Sequence, residues 1–261
     1  MADESAAKPF YSVLVLAFVC SFLVSGAAIG LRPLQEANRR IDMKKNILRA
    51  GGLYETNKPV DALFSSIETR VIELASGEFI PEDQIAPESY NQLKAALSND
   101  LSRHLDRKED IAGLRRLEKY SLVYLVRSGT GIEQIILPVR GKGLWSTMYG
   151  YLALDADLKT IRGISFYQHG ETPGLGGEIE NEQWQAGWAG KKMYGPDDNV
   201  SLQVAKGKAP TTGKAAQYQV DGLSGATMTA EGVNDLMHFW FGDHGFKPFI
   251  ERLQKSGGIN G

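Results

Sequence analysis

A long uncharged stretch near the amino terminus is incompatible with a wholly water-soluble fold unless it is removed. Residues 9–31 are mostly apolar and follow a short polar tail at residues 1–8. About 20 such residues are enough for a helix to cross the hydrocarbon core of a bilayer. Residues 25–27 (SGA) resemble a signal-peptidase site, so a cleaved signal peptide is the alternative. Because the apolar run continues past that site and is long for a signal core, we expect a retained transmembrane helix.

The charges beside this stretch bear on its orientation. Lys8 precedes it, whereas several basic residues follow it between residues 32 and 45. Positive residues tend to stay in the cytoplasm, so charge counting alone leaves the rest of the chain on the cytoplasmic side. Residues 32–58 carry apolar positions near helical spacing among many charges, which predicts a juxtamembrane helix and linker. Gly51 and Gly52 are expected to end that helix.

Composition excludes several other classes of protein. The net charge of the 261 residues is −2 and the basic residues are scattered, so we expect no nucleic-acid partner. Cys20 is the only cysteine, which excludes an intrachain disulfide or a cysteine metal cluster. The four histidines lack the spacing of a zinc site, and no metal site is expected. No arrangement typical of nucleophilic catalysis is present, so we assign no catalytic residue.

The rest of the chain predicts one α+β domain over residues 59–255, followed by a tail at residues 256–261. Alternating apolar runs broken by Gly, Asp and Ser predict strands at residues 120–126, 132–139, 147–154, 160–168, 202–205 and 216–220. Helical spacing of apolar residues predicts helices at residues 87–105, 230–241 and 247–253, and a helix or a strand–helix mixture at residues 60–74. Short connections favour antiparallel pairing, so we expect a mainly antiparallel sheet flanked by helices.

The turn before the helix at 230–241 is rich in small and hydroxyl-bearing residues. Its sequence from residue 220 to residue 229 is VDGLSGATMT. Thr229 is predicted to cap the helix through its side chain, and Glu231 to lie in the first turn, where a negative charge is favoured. Free backbone amides at such a helix start attract phosphate. On turn chemistry alone, an ordinary helix cap is the simpler interpretation.

Residues 221–227 (DGLSGAT) resemble the motif at which flavin transferases esterify a threonine with the phosphate of FMN. This motif is typical of the covalent FMN-binding domain family, which includes the C subunit of the sodium-translocating NADH:quinone oxidoreductase and the G subunit of Rnf complexes. The membrane-anchor layout and the segment at residues 169–180 also resemble the C subunit.

The resemblance implies roles for the residues of this turn. Thr227 corresponds to the threonine that carries FMN as a phosphoester, and Thr229 is the fallback acceptor because it lies only two residues away. Asp221 belongs to the sequence that the transferase recognises. The turn residues expected beside the cofactor are Ser224, Gly225 and Ala226.

Two glycine-rich loops are candidates for holding the flavin ring. Trp145, in the loop at residues 141–146, offers a flat face on which a flavin can stack, although a core tryptophan in a hairpin is the simpler interpretation of that loop alone. By the resemblance, residues of the loop at 169–178 surround the isoalloxazine ring. They are Glu171, Thr172, Leu175 and Gly176. Lys206 and Lys214 are candidates for pairing with the phosphate as point charges.

Two further glycine-rich stretches do not fit nucleotide-binding motifs. Residues 174–177 lack the full spacing of a dinucleotide loop, and no clear Rossmann helix follows them. Residues 207–214 have one residue too many for a phosphate-binding P-loop, and Ala215 stands where a Ser or Thr would reach magnesium. We therefore do not interpret either stretch as a nucleotide site. The family resemblance further implies that this chain itself has no NADH or quinone site.

The resemblance implies an electron-relay subunit of a bacterial inner-membrane complex that oxidises NADH, reduces ubiquinone and moves Na⁺. Its expected partners are the other subunits, a flavin transferase and membrane lipid. The family also implies a single membrane pass with the FMN domain in the periplasm, against the charge count. A G subunit of an Rnf complex is the first alternative, although the residues after Pro173 and the long region before the sheet favour the C subunit. A membrane-anchored sensory or binding module without electron transfer is the second.

Overall fold

The first unit of the structure is formed by a long apolar helix. The computed structural model describes residues 7–129 and 131–255, and it divides into units at residues 1–43 and 44–261. Helix α1 (Ala7–Ala50) fills the described part of the first unit, and its side chains are exposed from residue 8 to residue 42. Of the described residues, only this helix is long and apolar enough to cross a membrane. The predicted tail at 256–261 and most of the tail at 1–8 lie outside the described residues.

The last turns of α1 belong to the second unit. The helix runs through Pro33 without interruption, so the expected transmembrane and juxtamembrane segments are one helix. It ends where Gly51 and Gly52 were predicted to end it, and Gly52 has the positive φ of +66° that suits glycine. The side chains of Ile47 and Leu48 are fully buried. The compact unit therefore begins at Lys44, within the segment expected to be linker.

The second unit alternates short helices with strands. After α1 the helices and strands are α2 (Val60–Phe64), β1 (Ile67–Glu73), β2 (Phe79–Ile80), α3 (Gln92–Leu97), β3 (Ser102–His104), β4 (Arg116–Glu118), β5 (Tyr120–Ser128), β6 (Gly131–Lys142), β7 (Thr147–Asp155), β8 (Ile161–Gln168), α4 (Glu182–Ala186), β9 (Gln203–Val204), β10 (Gln219–Val220), α5 (Thr227–Trp240) and α6 (Lys247–Lys255). Short 3-10 helices lie at Gly176–Glu180 and Lys214–Gln217.

The main sheet is antiparallel, with the strand order β2-β1-β5-β6-β7-β8. β6 and β7 pair without a register shift as far as Lys142 and Thr147. Tyr149 of β7 is opposite Gln168, the last residue of β8. The loop after β6 and the loop after β8 therefore leave the sheet at the same edge. The predicted α+β class, with an antiparallel sheet flanked by helices, is confirmed.

Helix α5 packs across β6 and reaches the same edge. The indole Nε1 of Trp240 donates to the carbonyl of Arg140 at 2.7 Å. Leu236 lies so close to Gly141 that a Cβ there would be 2.9 Å from the Leu236 Cβ. The stripe of apolar residues predicted for this helix is buried, because it faces the sheet. The amino-terminal end of α5 consequently lies beside the loop that follows β6.

The prediction of one helix over residues 87–105 is wrong. Only α3 is helical there: Asn91 caps it by accepting from the Lys94 amide at 2.9 Å, and Ser98 has an extended backbone that ends it. The leucine spacing did not mark a buried face, since Leu97 is 82% exposed. In the segment at 60–74, the mixture of helix and strand is the correct alternative, because α2 is followed by β1.

The region before α5 also differs from the prediction. The strand expected at residues 216–220 is a 3-10 turn followed by the two-residue strand β10. β10 pairs with β9 in the parallel direction, outside the main sheet. The short pair is enough to bring residues 203–204 beside the chain that enters the turn at residues 221–226.

Candidate functional site

Three chain segments meet at the edge of the sheet where α5 begins. They are the loop at residues 143–146 between β6 and β7, the loop at residues 169–175 after β8, and the turn at 221–226 with the first turn of α5. Hydrogen bonds connect them, so residues far apart in sequence form one group. The structure thus brings together the two glycine-rich loops and the turn that carry the sequence motifs.

The Glu171 carboxylate is the hub of this group. Its Oε1 accepts from the backbone amides of Trp145 at 3.0 Å and Ser146 at 3.2 Å. Its Oε2 accepts from the Leu144 amide at 3.2 Å and from the Thr229 hydroxyl at 2.7 Å. Successive backbone amides that point to one spot form an anion-binding concavity, and here an internal carboxylate fills it.

The environment of Glu171 favours its charged form. The side chain is only 5% exposed, and burial by itself raises the pKa of a carboxyl group. The Thr229 hydroxyl and the three loop amides stabilise the ionised form more strongly than burial disfavours it. As a result, the pKa of Glu171 lies below its ordinary value.

Glycine is required at two positions around this carboxylate. A Cβ on Gly143 would lie 2.5 Å from Glu171 Oε1. A Cβ on Gly176 would lie 2.4 Å from the Thr229 hydroxyl oxygen and 3.0 Å from Glu171 Oε2. Any larger residue would therefore push these groups apart, which explains why both loops carry glycine at these points.

The two threonines of the turn have opposite environments. Thr227 is the first residue of α5 and is exposed. Thr229 is only 1% exposed, and its hydroxyl donates to Glu171. The prediction that Thr229 caps the helix is wrong: Ala226 occupies the N-cap position and makes no side-chain cap hydrogen bond. Because α5 starts three residues earlier than expected, Glu231 lies beyond its first turn.

The other turn residues expected beside the cofactor differ in their exposure to solvent. Ser224 and Gly225 are exposed, whereas Ala226 is buried. Gly225 has a positive φ of +69°, and a Cβ there would be 3.0 Å from Leu175 Cδ2. This contact brings the loop after β8 against the turn.

Large apolar side chains are exposed on the three segments that form this group. Trp145 is 66% exposed and Met228 is 60% exposed, and Leu144 and Leu175 are exposed as well. Trp145 and Leu175 were predicted from the sequence. Leu144, which neighbours Trp145 in the loop, and Met228, which lies between the two threonines, were not. The sequence signal that could have identified Leu144 and Met228 was their position within segments that resemble the family.

Two further residues support the loops and were also not predicted from the sequence. The Ser146 hydroxyl accepts from the Gly170 amide at 2.6 Å, which joins the two glycine-rich loops directly. His169 Nδ1 accepts from the Glu171 amide at 3.1 Å. Thr172, which was predicted from the sequence, has an exposed side chain, and its backbone carbonyl accepts from the amides of Leu175 and Gly177. These bonds fix the course of the loop after β8.

The Asp221 side chain holds the loop that follows β9. It accepts from the Ala209 amide at 2.8 Å and from Lys208 Nζ at 2.9 Å, and its carbonyl accepts from Trp184 Nε1 at 2.8 Å. The amide of Ala209 and the Lys208 side chain hold the pKa of this carboxyl below its ordinary value. About half of the carboxylate surface stays exposed.

The predicted lysines are not part of the hydrogen-bonded group. Lys206 and Lys214 are both exposed. Within residues 7–129 and 131–255, no hydrogen bond or ion pair connects either lysine to the three segments described above. Their pairing with a phosphate stays a prediction.

The comparisons with known proteins include the part of the chain that holds this group. The FMN-binding domain family matches residues 143–242, which contain all three segments. The C subunit of the Na(+)-translocating NADH-quinone reductase from Pseudomonas aeruginosa is 46% identical, over 97% of this chain and 98% of that protein. The chain belongs to this C-subunit family. The resemblance seen in the sequence is thereby confirmed.

Solved structures of the C-subunit family share this fold. The crystal structure of NqrC from Shewanella oneidensis has a TM-score of 0.75 at 31% identity, covering 84% of this chain and 99% of that chain. The C-subunit structure from Parabacteroides distasonis has a TM-score of 0.64 at 26% identity, covering 84% of this chain and 96% of that chain. Family membership and the apolar helix α1 together fit a single-pass membrane subunit.

Proposed function

We propose that this chain is the FMN-carrying electron-transfer subunit of a Na⁺-translocating NADH:quinone reductase, and that Thr227 carries FMN through a phosphoester. One observation carries the proposal. Thr227 is exposed at the start of α5, beside the exposed Met228, within the segment that matches the FMN-binding domain family.

Burial favours Thr227 over Thr229 as the acceptor. A transferase must reach the hydroxyl oxygen, and the exposed side chain of Thr227 is accessible to it. The Thr229 hydroxyl is buried and already donates to Glu171. Esterification of Thr229 would remove the donor hydrogen and introduce a phosphate next to a carboxylate, so like charges would meet in a buried place.

The start of α5 suits a phosphate group. The first amides of a helix have no intrahelical acceptor, and the helix dipole favours negative charge there. The N-cap residue Ala226 makes no side-chain cap hydrogen bond, and among the described residues no side chain accepts from the first amides of this helix. The phosphate would thus be held by the backbone of α5 and the ester bond to Thr227.

The surroundings of Thr227 suit a flat heterocycle. Trp145, Leu175 and Met228 present apolar surface that a soluble domain does not usually expose together. An indole offers a face for stacking. The exposed hydroxyl of Thr172 and the backbone of the loop after β8 supply polar groups beside that surface. Glu171 lies beneath the loops as support.

In this function the chain binds, orients and insulates its cofactor. FMN, when bound, accepts and donates single electrons, which is the redox chemistry of the subunit. The chain holds the phosphate at Thr227, supports the loops through Glu171 and covers apolar ring surface with Trp145. NADH and quinone bind to other subunits in this proposal. A separate flavin transferase forms the ester, and lipid surrounds α1.

We further propose that the second unit lies in the periplasm. The basic residues after the apolar run argue for the opposite orientation. The charge count is least decisive for long domains, such as the second unit, because long domains can be translocated largely regardless of charge. Labelling Cys20-free chains that carry a single new cysteine in the second unit tests the orientation. A membrane-impermeant thiol reagent should modify the cysteine in intact spheroplasts, and protection until lysis would contradict it.

A mass measurement tests the ester. The full chain is produced with and without a flavin transferase and then denatured, and its mass is determined. The mass of FMN should appear on the peptide containing Thr227 only when the transferase is present. Thr227→Ala should abolish it, Thr227→Ser should retain it, and Thr212→Ala, which removes an exposed threonine outside the motif, is the matched control. Full FMN incorporation into the Thr227→Ala chain would refute the assignment.

A further inference from the structure

The sequence resemblance placed Glu171 among the residues around the flavin ring, but its carboxylate is fully engaged inside the protein. Each oxygen accepts two hydrogen bonds, and of the four donors three are loop amides and one is Thr229. The side chain is only 5% exposed. An acceptor that is buried and already has four donors has little capacity left for a ligand.

We infer that Glu171 and Thr229 are positioning residues that set the gap between Trp145 and Thr227, into which the flavin ring fits. This inference rests on the proposed function. Glu171 holds the backbone of Trp145 through its amide, and it holds the first turn of α5 through Thr229. The two sides of the gap are therefore fixed to one carboxylate.

The packing around the carboxylate makes this link specific. Gly143 and Gly176 leave space that a Cβ would occupy at 2.5 Å from Glu171 and 2.4 Å from Thr229. A Cβ on Gly232 of α5 would be 2.4 Å from the Lys142 carbonyl, so the helix and the end of β6 also approach at the minimum distance. Close packing at this junction leaves the loop and the helix little freedom to separate while the carboxylate holds both.

The link acts on the ring without touching it. The three loop amides point inward to Glu171, and the Trp145 side chain points away from the core, as its exposure shows. Without the carboxylate these amides lose their acceptor, and the loop loses the bonds that fix its orientation. Without the Thr229 hydroxyl the carboxylate still holds the loop, but the loop is no longer tied to α5.

The test uses the full chain, matured by a flavin transferase, with two substitutions at Thr229. Thr229→Val preserves shape and removes the donor, and Thr229→Ser preserves the donor. Mass analysis should show FMN on all three chains, since Thr227 is unchanged. The fluorescence anisotropy and visible circular dichroism of the attached flavin should fall in Thr229→Val toward the values of the urea-unfolded chain. Both signals should recover in Thr229→Ser.

A substitution elsewhere in the core distinguishes the loss of positioning from a general loss of stability. Ile135→Val removes one methylene from the core in the middle of β6, away from the loop edge. It should lower the unfolding midpoint without changing the flavin signals below that midpoint. Wild-type flavin signals in folded Thr229→Val would overturn the inference. Absence of FMN mass on the wild-type chain would instead refute the proposed function.

A measurement on the unmodified chain does not depend on any variant folding. The amides of Leu144, Trp145 and Ser146 should exchange with deuterium slowly, although two of these residues are exposed, because Glu171 accepts from all three. Exchange at the rate of an unprotected loop would overturn the inference. Slow exchange that becomes fast in Glu171→Gln would support it.

Discussion

The substitution Gly176→Ala should damage the junction between the loop after β8 and α5. The new Cβ would lie 2.4 Å from the Thr229 hydroxyl oxygen and 3.0 Å from Glu171 Oε2, whereas ordinary contacts begin near 3.4 Å. Thr229 must therefore move by about 1 Å, which is enough to break its 2.7 Å hydrogen bond to Glu171.

The change in the free energy of unfolding can be estimated from three contributions. Overpacking a close-packed site costs about 1–3 kcal/mol. Losing a hydrogen bond to a charged group costs about 1.5–3 kcal/mol. Replacing glycine by alanine stabilises the folded state relative to the unfolded state by roughly 0.4–1 kcal/mol, because the unfolded chain loses conformational entropy. The free energy of unfolding should consequently fall by roughly 2–5 kcal/mol.

Denaturant unfolding of the full chain in detergent, followed by tryptophan fluorescence, measures this change. Gly207→Ala is the matched control, because a Cβ there would have open space and its φ is not positive. The control should be neutral or stabilise the protein by up to about 1 kcal/mol. In a Thr229→Ala background, Gly176→Ala should cost less, since the main clash is gone. An equal cost in both backgrounds, or a cost under about 1 kcal/mol in the wild type, would refute this account of the junction.

Two further predictions concern the carboxylates of the site. The pKa of Glu171 is lower in the folded than in the unfolded chain, so its contribution to stability is present above the ordinary value of 4.5 and is lost as pH falls through the folded pKa. Denaturant midpoints measured between about pH 3 and pH 6 should therefore depend less on pH in Glu171→Gln than in the wild type. For Asp221→Asn, the amide oxygen can still accept from Ala209 and only an exposed ion pair to Lys208 is lost, so stability should change by less than about 1 kcal/mol. Because the transferase is expected to recognise Asp221, mass analysis should nevertheless show less FMN on the Asp221→Asn chain. Normal FMN incorporation would mean that Asp221 only holds its loop.

The parts of the fold that depend on local pattern were predictable from the sequence. The apolar run predicted α1, and alternating residues predicted the long strands at 120–126, 132–139, 147–154 and 160–168, each within a few residues. Local pattern failed at residues 87–105, where Leu93, Leu97 and Leu101 are exposed and the helix ends at Leu97. Spacing alone does not report which surface a short helix turns toward the core.

The chemistry of the site was less predictable, because it depends on contacts between distant residues. The segment around Glu171 was recognised, but the direction of its carboxylate was not. Its partners at 144–146 and at Thr229 lie 25 to 58 residues away in the sequence. Their arrangement follows from the antiparallel order of β6, β7 and β8, which brings both loops to one edge of the sheet.

The different roles of Thr227 and Thr229 follow from helical geometry. Successive residues of an α-helix are rotated by about 100°, so residues two apart lie on nearly opposite faces. Thr229 is four residues before Val233 and seven before Leu236, both of which are fully buried against the sheet. Thr229 therefore belongs to the buried stripe, and its hydroxyl requires an internal acceptor, which Glu171 provides. Thr227 lies on the opposite face, where an enzyme can reach it, so two threonines at this spacing supply one internal bond and one accessible hydroxyl.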